Sequence, residues 1–431
     1  MVAQRYIFHV YHFIMAIVML TCVASCHKDD ADCGDPSEMA QDSVPKPEEK
    51  KKTKNGLPII KITTPDGRAI QSKETYIEGA TVTVINEDST VAFSAKTKIR
   101  GRGNTSWLLM PKKSYKLKLE KAHSFFGEAE EKEWVLIANY CDKTMIRNAL
   151  ALYMGQQSTL DYTCSFHFVD LELNGIPQGT YMLAEQIKAA QHRVDVGDDG
   201  YLVVVESHSS NDEVTFKVSN LPVDVTLKSP KVKADSEEAK YAQAFMQHAS
   251  EVLFSNKFLD PDDGYKKYID MDSFAEWYVI NEIARNMDAV MYGSCYMHFR
   301  KDGKLTMGPI WDFDIAFGNV NYNDGWKTDG FWVKRSNFMG RLFKDPAFVQ
   351  KVKERMNYYH SDKQLYIDFI DSMANAIYVS QEANEQIWHT MNDDIWPCYT
   401  VYGSYEAEVN HLKEWLDKRM DWLQKEIQEM K

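Results

Sequence analysis

Several features are missing from this 431-residue sequence, and each absence removes a class of protein. It has no long Lys/Arg tract, and its net charge is −13 with a pI near 5.5, so nucleic acid is not the expected partner. Duplex binders present a basic face. No repeat with a period of roughly 20–50 residues is visible, which argues against solenoids and propellers. No Gly-x-x-x-x-Gly-Lys-Ser/Thr loop occurs, so there is no Walker site. Seven cysteines form no Cys-x-x-Cys pair. Cys164/His167 and Cys295/His298 both lie in strand-like runs, where an offset of three puts the side chains on opposite faces, against a structural zinc site. What is present is 44% hydrophobic and 12% aromatic residues, enough for a large core and too many for a disordered chain. The acidic balance still leaves room for a local basic pocket that binds phosphate.

The chain opens with Arg5 and then the apolar run Phe13 to Leu20, shorter than the ~20 residues that span a bilayer. Val23-Ala24-Ser25-Cys26 resembles a bacterial lipobox, so residues 1–25 are expected to be a cleaved lipoprotein signal and Cys26 the lipidated residue. An uncleaved anchor helix is the alternative. The cluster His27 to Asp32 resembles the surface-export signal of Bacteroidetes-type lipoproteins, giving an outer-membrane or cell-surface location with the membrane met only through the lipid. Residues 26–54 hold few large apolar side chains and read as a flexible tether.

From residue 55 a single folded domain is expected. Period-2 alternation marks strands at Pro58–Ile62, Tyr76–Ile85, Thr97–Arg100, Ser114–Leu119 and Glu133–Ile137. Tyr115, Leu117 and Leu119 share one face, and Lys116 and Lys118 the other. Asp142–Gln157 reads as a helix. Phe166–Leu173 and Gln178–Ala184 flank Asn174-Gly175, a strong hairpin signal. Strands at Tyr201–Glu206 and Val214–Val218 precede a helix over Ser236–Phe254 and another over Ser273–Arg285, the latter opened by a Ser273-x-x-Glu276 capping box. From Asp345 the chain is nearly all amphipathic helix. This order, β-rich first and helical second, predicts an α+β architecture with two lobes. Cys141, Cys164, Cys295 and Cys398 read as core residues, with one disulfide left open.

The stretch from Asn286-Met287-Asp288 to Trp311-Asp312-Phe313-Asp314 carries the chemistry. Between the acids, Tyr296–Arg300, a turn and Leu305–Ile310 predict a hairpin, which brings Asp288 and Asp312 together as in the aspartate pair of protein kinases. In extended backbone Asp312 and Asp314 would project to one side, about 6–7 Å apart, two hard oxygen donors suited to Mg²⁺ held with nucleotide phosphates. The bland alternative is that they cap the turn before Gly318. Arg100-Gly101-Arg102-Gly103, followed by Lys113, Lys116 and Lys118, reads as a phosphate-binding loop and strand, against a solvated hairpin tip. Arg147 is expected to pair with Asp142. Trp326, Phe331, Trp332 and Phe338 are expected in the core rather than on a substrate platform.

Together these pieces resemble the spore-coat protein H (CotH) kinase family. The matching segments are Ile99-Arg100-Gly101, Pro111 to Tyr115, Asp142 with Ile146-Arg147-Asn148, Asn174-Gly175 with Gln178 to Tyr181, Glu185, Asn286-Met287-Asp288 and Gly308 to Asp314, within a core of about 95–360 and with a helical extension after 345. The resemblance implies a divergent protein-kinase-like fold using ATP and Mg²⁺ to phosphorylate a protein hydroxyl. By it, Asp288 is the catalytic aspartate that orients or deprotonates the acceptor hydroxyl, and Asp312 and Asp314 are metal ligands; Arg100, Arg102, Lys113 and Lys116 are expected on the nucleotide's phosphates, and Glu185 either beside the adenine or in a surface salt bridge. One departure stands out: many members carry an Asn shortly after the catalytic Asp, where this chain reads Val290 to Cys295, with Ser294 the only replacement ligand. The alternative is therefore a catalytically inactive kinase-like surface protein in adhesion or envelope organisation.

Overall fold

Alternating apolar residues from Ile59 onward build seven strands that close on themselves in the computed structural model, which describes residues 52–210 and 212–431. The expected signal segment, Cys26 and most of the tether lie outside the described residues. The strands are β1 (Ile59–Thr63), β2 (Ile77–Ile85), β3 (Val91–Arg102), β4 (Ser114–His123), β5 (Glu131–Ile137), β6 (Phe166–Leu173) and β7 (Ile176–Glu185). Their neighbour order is β1-β2-β3-β4-β5-β7-β6, sealed by parallel pairing of β1 with β6 through Ile60↔Leu171 and Ile62↔Leu173. Closure leaves no sheet edge unpaired. Ile60, Val82, Ile99, Tyr115, Leu117, Trp134 and Leu183 fill the interior. The β6–β7 hairpin turns at Asn174 and Gly175, both with positive φ (51° and 79°), the conformation an Asn-Gly turn supplies at least cost. Two short helices connect barrel strands, α1 (Thr105–Leu109) and α2 (Arg147–Gln156).

The expected helix over Asp142–Gln157 begins only at Arg147, because Asp142 acts as its cap from outside. The Asp142 carboxylate accepts from Arg147 N (2.8 Å), Thr144 N (3.1 Å) and Thr144 Oγ1 (2.6 Å), and it forms a buried ion pair with the Arg147 guanidinium (2.5 Å).

A second sheet follows, ordered β12-β11-β8-β10-β9, from β8 (Tyr201–Val205), β9 (Val214–Phe216), β10 (Val225–Ser229), β11 (Cys295–Phe299) and β12 (Thr306–Met307). Its core strand β8 is buried along its whole length. α3 (Glu237–Phe254) starts where Ser236 accepts from Ala239 N (3.1 Å). α4 (Met271–Ala284) is buried throughout its last twelve residues and is capped by Asp270, which accepts from Ser273 N (2.8 Å). The expected Ser273/Glu276 capping box is absent: Ser273 Oγ donates to Asp270 O, and Glu276 is buried against Arg355, Tyr359 and Thr159. A buried carboxylate needs such partners. The cysteines Cys141, Cys164, Cys295 and Cys398 are free buried thiols.

The chain ends in α5 (Asn337–Leu342), α6 (Pro346–Ser361), α7 (Lys363–Trp388) and α8 (Tyr405–Gln428). Phe338 of α5 is buried, and Phe331 and Trp332 pack on the same core, whereas Trp326 lies outside that core and stacks on Tyr399 (5.1 Å). α7 returns to the barrel. Trp388 Nε1 donates to Gln178 O (2.9 Å), Ser380 Oγ meets Thr180 Oγ1 (2.6 Å), and the buried Lys112 ammonium donates to Asn384 Oδ1 (2.8 Å) and Thr180 O.

Candidate active site

The barrel's outward face at β3 and β4 is unusually cationic. Lys98, Arg100 and Arg102 alternate with the inward Ile99, and the register sets Arg100 opposite Lys116 and Lys98 opposite Lys118. Like charges directly opposed destabilise a sheet, so this face needs anions. Glu133 on β5 supplies one, bonding Lys116 at 2.7 Å and lying 3.6 Å from Lys118. Although burial pushes its carboxyl up, Lys116 foremost and then Lys188 and Lys118 hold Glu133 down at about 2. Arg102 stacks over the Trp311 ring (5.4 Å) and directs its charge toward Asp312 and Asp314. Arg100 donates to Lys73 O (2.6 Å) and lies over Tyr76 (4.9 Å).

Facing this wall are the acids. The β11–β12 hairpin returns the chain so that Asp288, just beyond α4, and Asp312, just beyond β12, line one cleft of about 730 Å³ with Asp314, Arg100, Arg102 and Lys116. Burial, and then the Asp312 charge, push the Asp288 carboxyl up to about 6. Asp314 is raised by burial and then by Asp312, with the Cys141 thiol donating to it (3.3 Å) in partial compensation. Asp312 is open to cleft water yet enclosed by the cleft walls; that enclosure raises its carboxyl and Arg102 opposes the shift. Ser294 Oγ donates to Asp312 Oδ2 (3.4 Å), so the expected replacement ligand reaches the acid. Asp312 is not extended: its φ of 70° turns the chain between the two acids.

Among the described residues no group of three or more His, Cys, Asp or Glu has metal-holding geometry. Mg²⁺ bound with nucleotide phosphates takes one or two carboxylates and completes its shell with phosphate oxygens and water, so Asp312 and Asp314 fit it. Burial foremost raises both carboxyls, and a cation at their oxygens would favour the ionised forms.

Two expected contacts fall outside this cleft. Glu185 is buried and forms an ion pair with Arg193, accepting also from Tyr162 OH (2.7 Å) and Ser165 N (2.9 Å). It is a structural anchor, and the Gln186–Ala189 segment that follows it lines the cleft instead. Lys113 donates to Trp107 O (2.5 Å) and does not line the cleft. The space left by the absent side chain of Gly101 is filled by the Trp107 ring, so that glycine serves packing rather than ligand approach. Two cleft elements escape sequence reasoning. Glu133 shows no pattern with Lys116 until β4 and β5 pair, and the Glu206–Ser210 loop closes another side of the cleft without any local motif.

Comparison with known families decides the class. A family model described as CotH kinase protein matches residues 99–423, most of the chain. The chain belongs to the CotH kinase family. No curated protein matches it. The CotH match begins on β3 and runs into α8, so it takes in both walls of the cleft and the helix that packs behind them.

Proposed function

We propose that this CotH protein is an atypical protein kinase with a divergent kinase-like fold, transferring the γ-phosphoryl group of ATP to a Ser, Thr or Tyr hydroxyl of a protein. The observation that carries the reading is the polarity of the cleft: Arg100, Arg102 and Lys116 on the barrel wall oppose Asp288, Asp312 and Asp314 on the other. A triphosphate seated between them meets cations on one side, and the carboxylates of Asp312 and Asp314 are the residues that would hold Mg²⁺. When bound, that ion neutralises charge developing on the phosphate oxygens.

The chain's own residues supply the rest. Arg102, clamped against Trp311, and Lys116, oriented by Glu133, hold the phosphates in place before reaction. The Gln186–Ala189 segment and the Glu206–Ser210 loop also line the cleft, and this reading assigns them to the base and ribose. Asp288 receives the acceptor proton as the acceptor oxygen bonds to the γ-phosphorus and the bond to the β–γ bridging oxygen breaks, leaving ADP. Its raised carboxyl makes it a stronger proton acceptor than an ordinary aspartate once ionised.

We further propose that the protein is exported and lipid-anchored through Cys26, on the strength of the N-terminal sequence alone. Among the described residues no helix is long and apolar enough to cross a membrane. The second reading, an inactive kinase-like surface protein, is favoured by the lack of an Asn between Asp288 and Cys295, where Ser294 is the replacement ligand. Thermal stability measured with ATP and Mg²⁺ separates the two. A kinase site gives a rise that needs both ligands, whereas no rise at millimolar concentrations supports the inactive reading.

A further inference from the structure

Three buried asparagines from separate parts of the fold converge on the main chain that carries the acids. Asn286, beyond the end of α4, accepts from Asp288 N through Oδ1 (3.2 Å) and donates through Nδ2 to Asp312 O (3.3 Å). One carboxamide therefore ties the two aspartates together by their backbones. The opposite polarity of its two partners fixes its orientation, since an N–H only donates and a C=O only accepts. Asn281 of α4 holds it from behind, accepting from Asn286 Nδ2 (3.1 Å) while donating to Trp277 O (2.9 Å). Asn148 of α2 accepts from Phe313 N (2.7 Å) and donates to Asn139 Oδ1 (3.0 Å). Asn319 donates to Asp314 O (2.7 Å) and to Cys141 O (2.8 Å). Each of Asp312, Phe313 and Asp314 is thus held by one main-chain atom.

Such a grip is needed here. Asp312 adopts a left-handed conformation that costs a non-glycine residue about 1 kcal/mol, and neighbouring carboxylates repel one another. Left to itself, this segment would relax toward extended backbone and change the directions in which the acids project. We propose that Asn286, Asn148 and Asn319 are positioning residues that set the separation of Asp288, Asp312 and Asp314 without touching nucleotide or acceptor. The proposal rests on the phosphotransfer reading for its kinetic consequence only.

Two readouts on the full-length protein test it. In ligand-free protein, amide hydrogen exchange of peptides covering residues 311–316 is expected to rise about tenfold or more in Asn286→Ala and Asn148→Ala, with the barrel strands unchanged. In the kinase assay, Asn286→Ala is expected to lower kcat about 100-fold while leaving the KM for ATP within about threefold, because misplacement affects the reacting geometry rather than ground-state binding. Asn319→Ser, which removes a single support, is measured beside them so that the outcome does not depend on one variant folding. Unchanged exchange at 311–316 in the folded variants, or a kcat within about threefold of wild type in both Asn286→Ala and Asn319→Ser, overturns the proposal. A wild type that transfers no phosphate rejects the kinase reading, while the exchange comparison still decides on the asparagines.

Discussion

At the scale of single residues, the raised carboxyl of Asp288 links function to stability. A carboxyl pushed up to about 6 by burial and Asp312 binds more protons in the folded protein than in the unfolded chain between about pH 4 and 6. Stability from this group is therefore fully present below about pH 4 and is lost as pH rises through 6. Asp288→Asn removes the ionisation, so the ligand-free variant is expected to be more stable than wild type by about 1–2 kcal/mol at pH 8, with the difference fading toward pH 4. Denaturant titrations at the two pH values check this, and equal stability at pH 8 counts against the burial of that charge. Under the proposed function, phosphate transfer is expected to fall as pH drops below about 6, since the protonated Asp288 accepts no proton; a pH–rate profile checks this. Among the lysines, Lys116→Ala is expected to lower kcat/KM for ATP about 100-fold, whereas Lys113→Ala stays within about threefold, because Lys113 is engaged with Trp107 O. Alternation along β4 already puts Lys116 on the outward face. Lys113, one residue before the strand, has no such periodicity to orient it.

At the scale of elements, features set by near neighbours are legible in the sequence, and features set by distant pairing are not. The Asn174-Gly175 hairpin, the faces of β4 and the helix that begins at Ser236 follow from neighbours within a few residues. Barrel closure depends on β1 meeting β6 in parallel, a pairing more than a hundred residues apart that leaves no local mark. Glu185 resembles a nucleotide contact by its place at a strand end, yet its partner Arg193 lies on the following loop and draws it inward. The capping box fails for a similar reason, since Glu276 finds its partners on α6. The return of α7 to the barrel is equally hidden. Asn384→Ala deprives the buried Lys112 ammonium of one acceptor, and the expected loss is about 2 kcal/mol in thermal or chemical unfolding. A change below about 0.5 kcal/mol means that this contact does not latch α7 to the barrel.

At the scale of the whole molecule, a net charge of −13 conceals a cleft in which positive and negative walls face each other across about 730 Å³. The closed barrel presents the cations, the second sheet and α4 deliver the acids, and α2 with the segment after Asp314 supports the turn between them. Apart they are a basic strand face and an acidic loop; together they form the two-signed cleft on which the proposed phosphotransfer rests. The most direct test is phosphate incorporation from γ-labelled ATP, with sites mapped by mass spectrometry, comparing wild type with Asp288→Asn. Label on Ser, Thr or Tyr that requires Mg²⁺ and vanishes in the folded variant is the expected result. Undiminished incorporation by Asp288→Asn would contradict the role of that carboxylate, and a wild type that incorporates none would contradict the kinase itself.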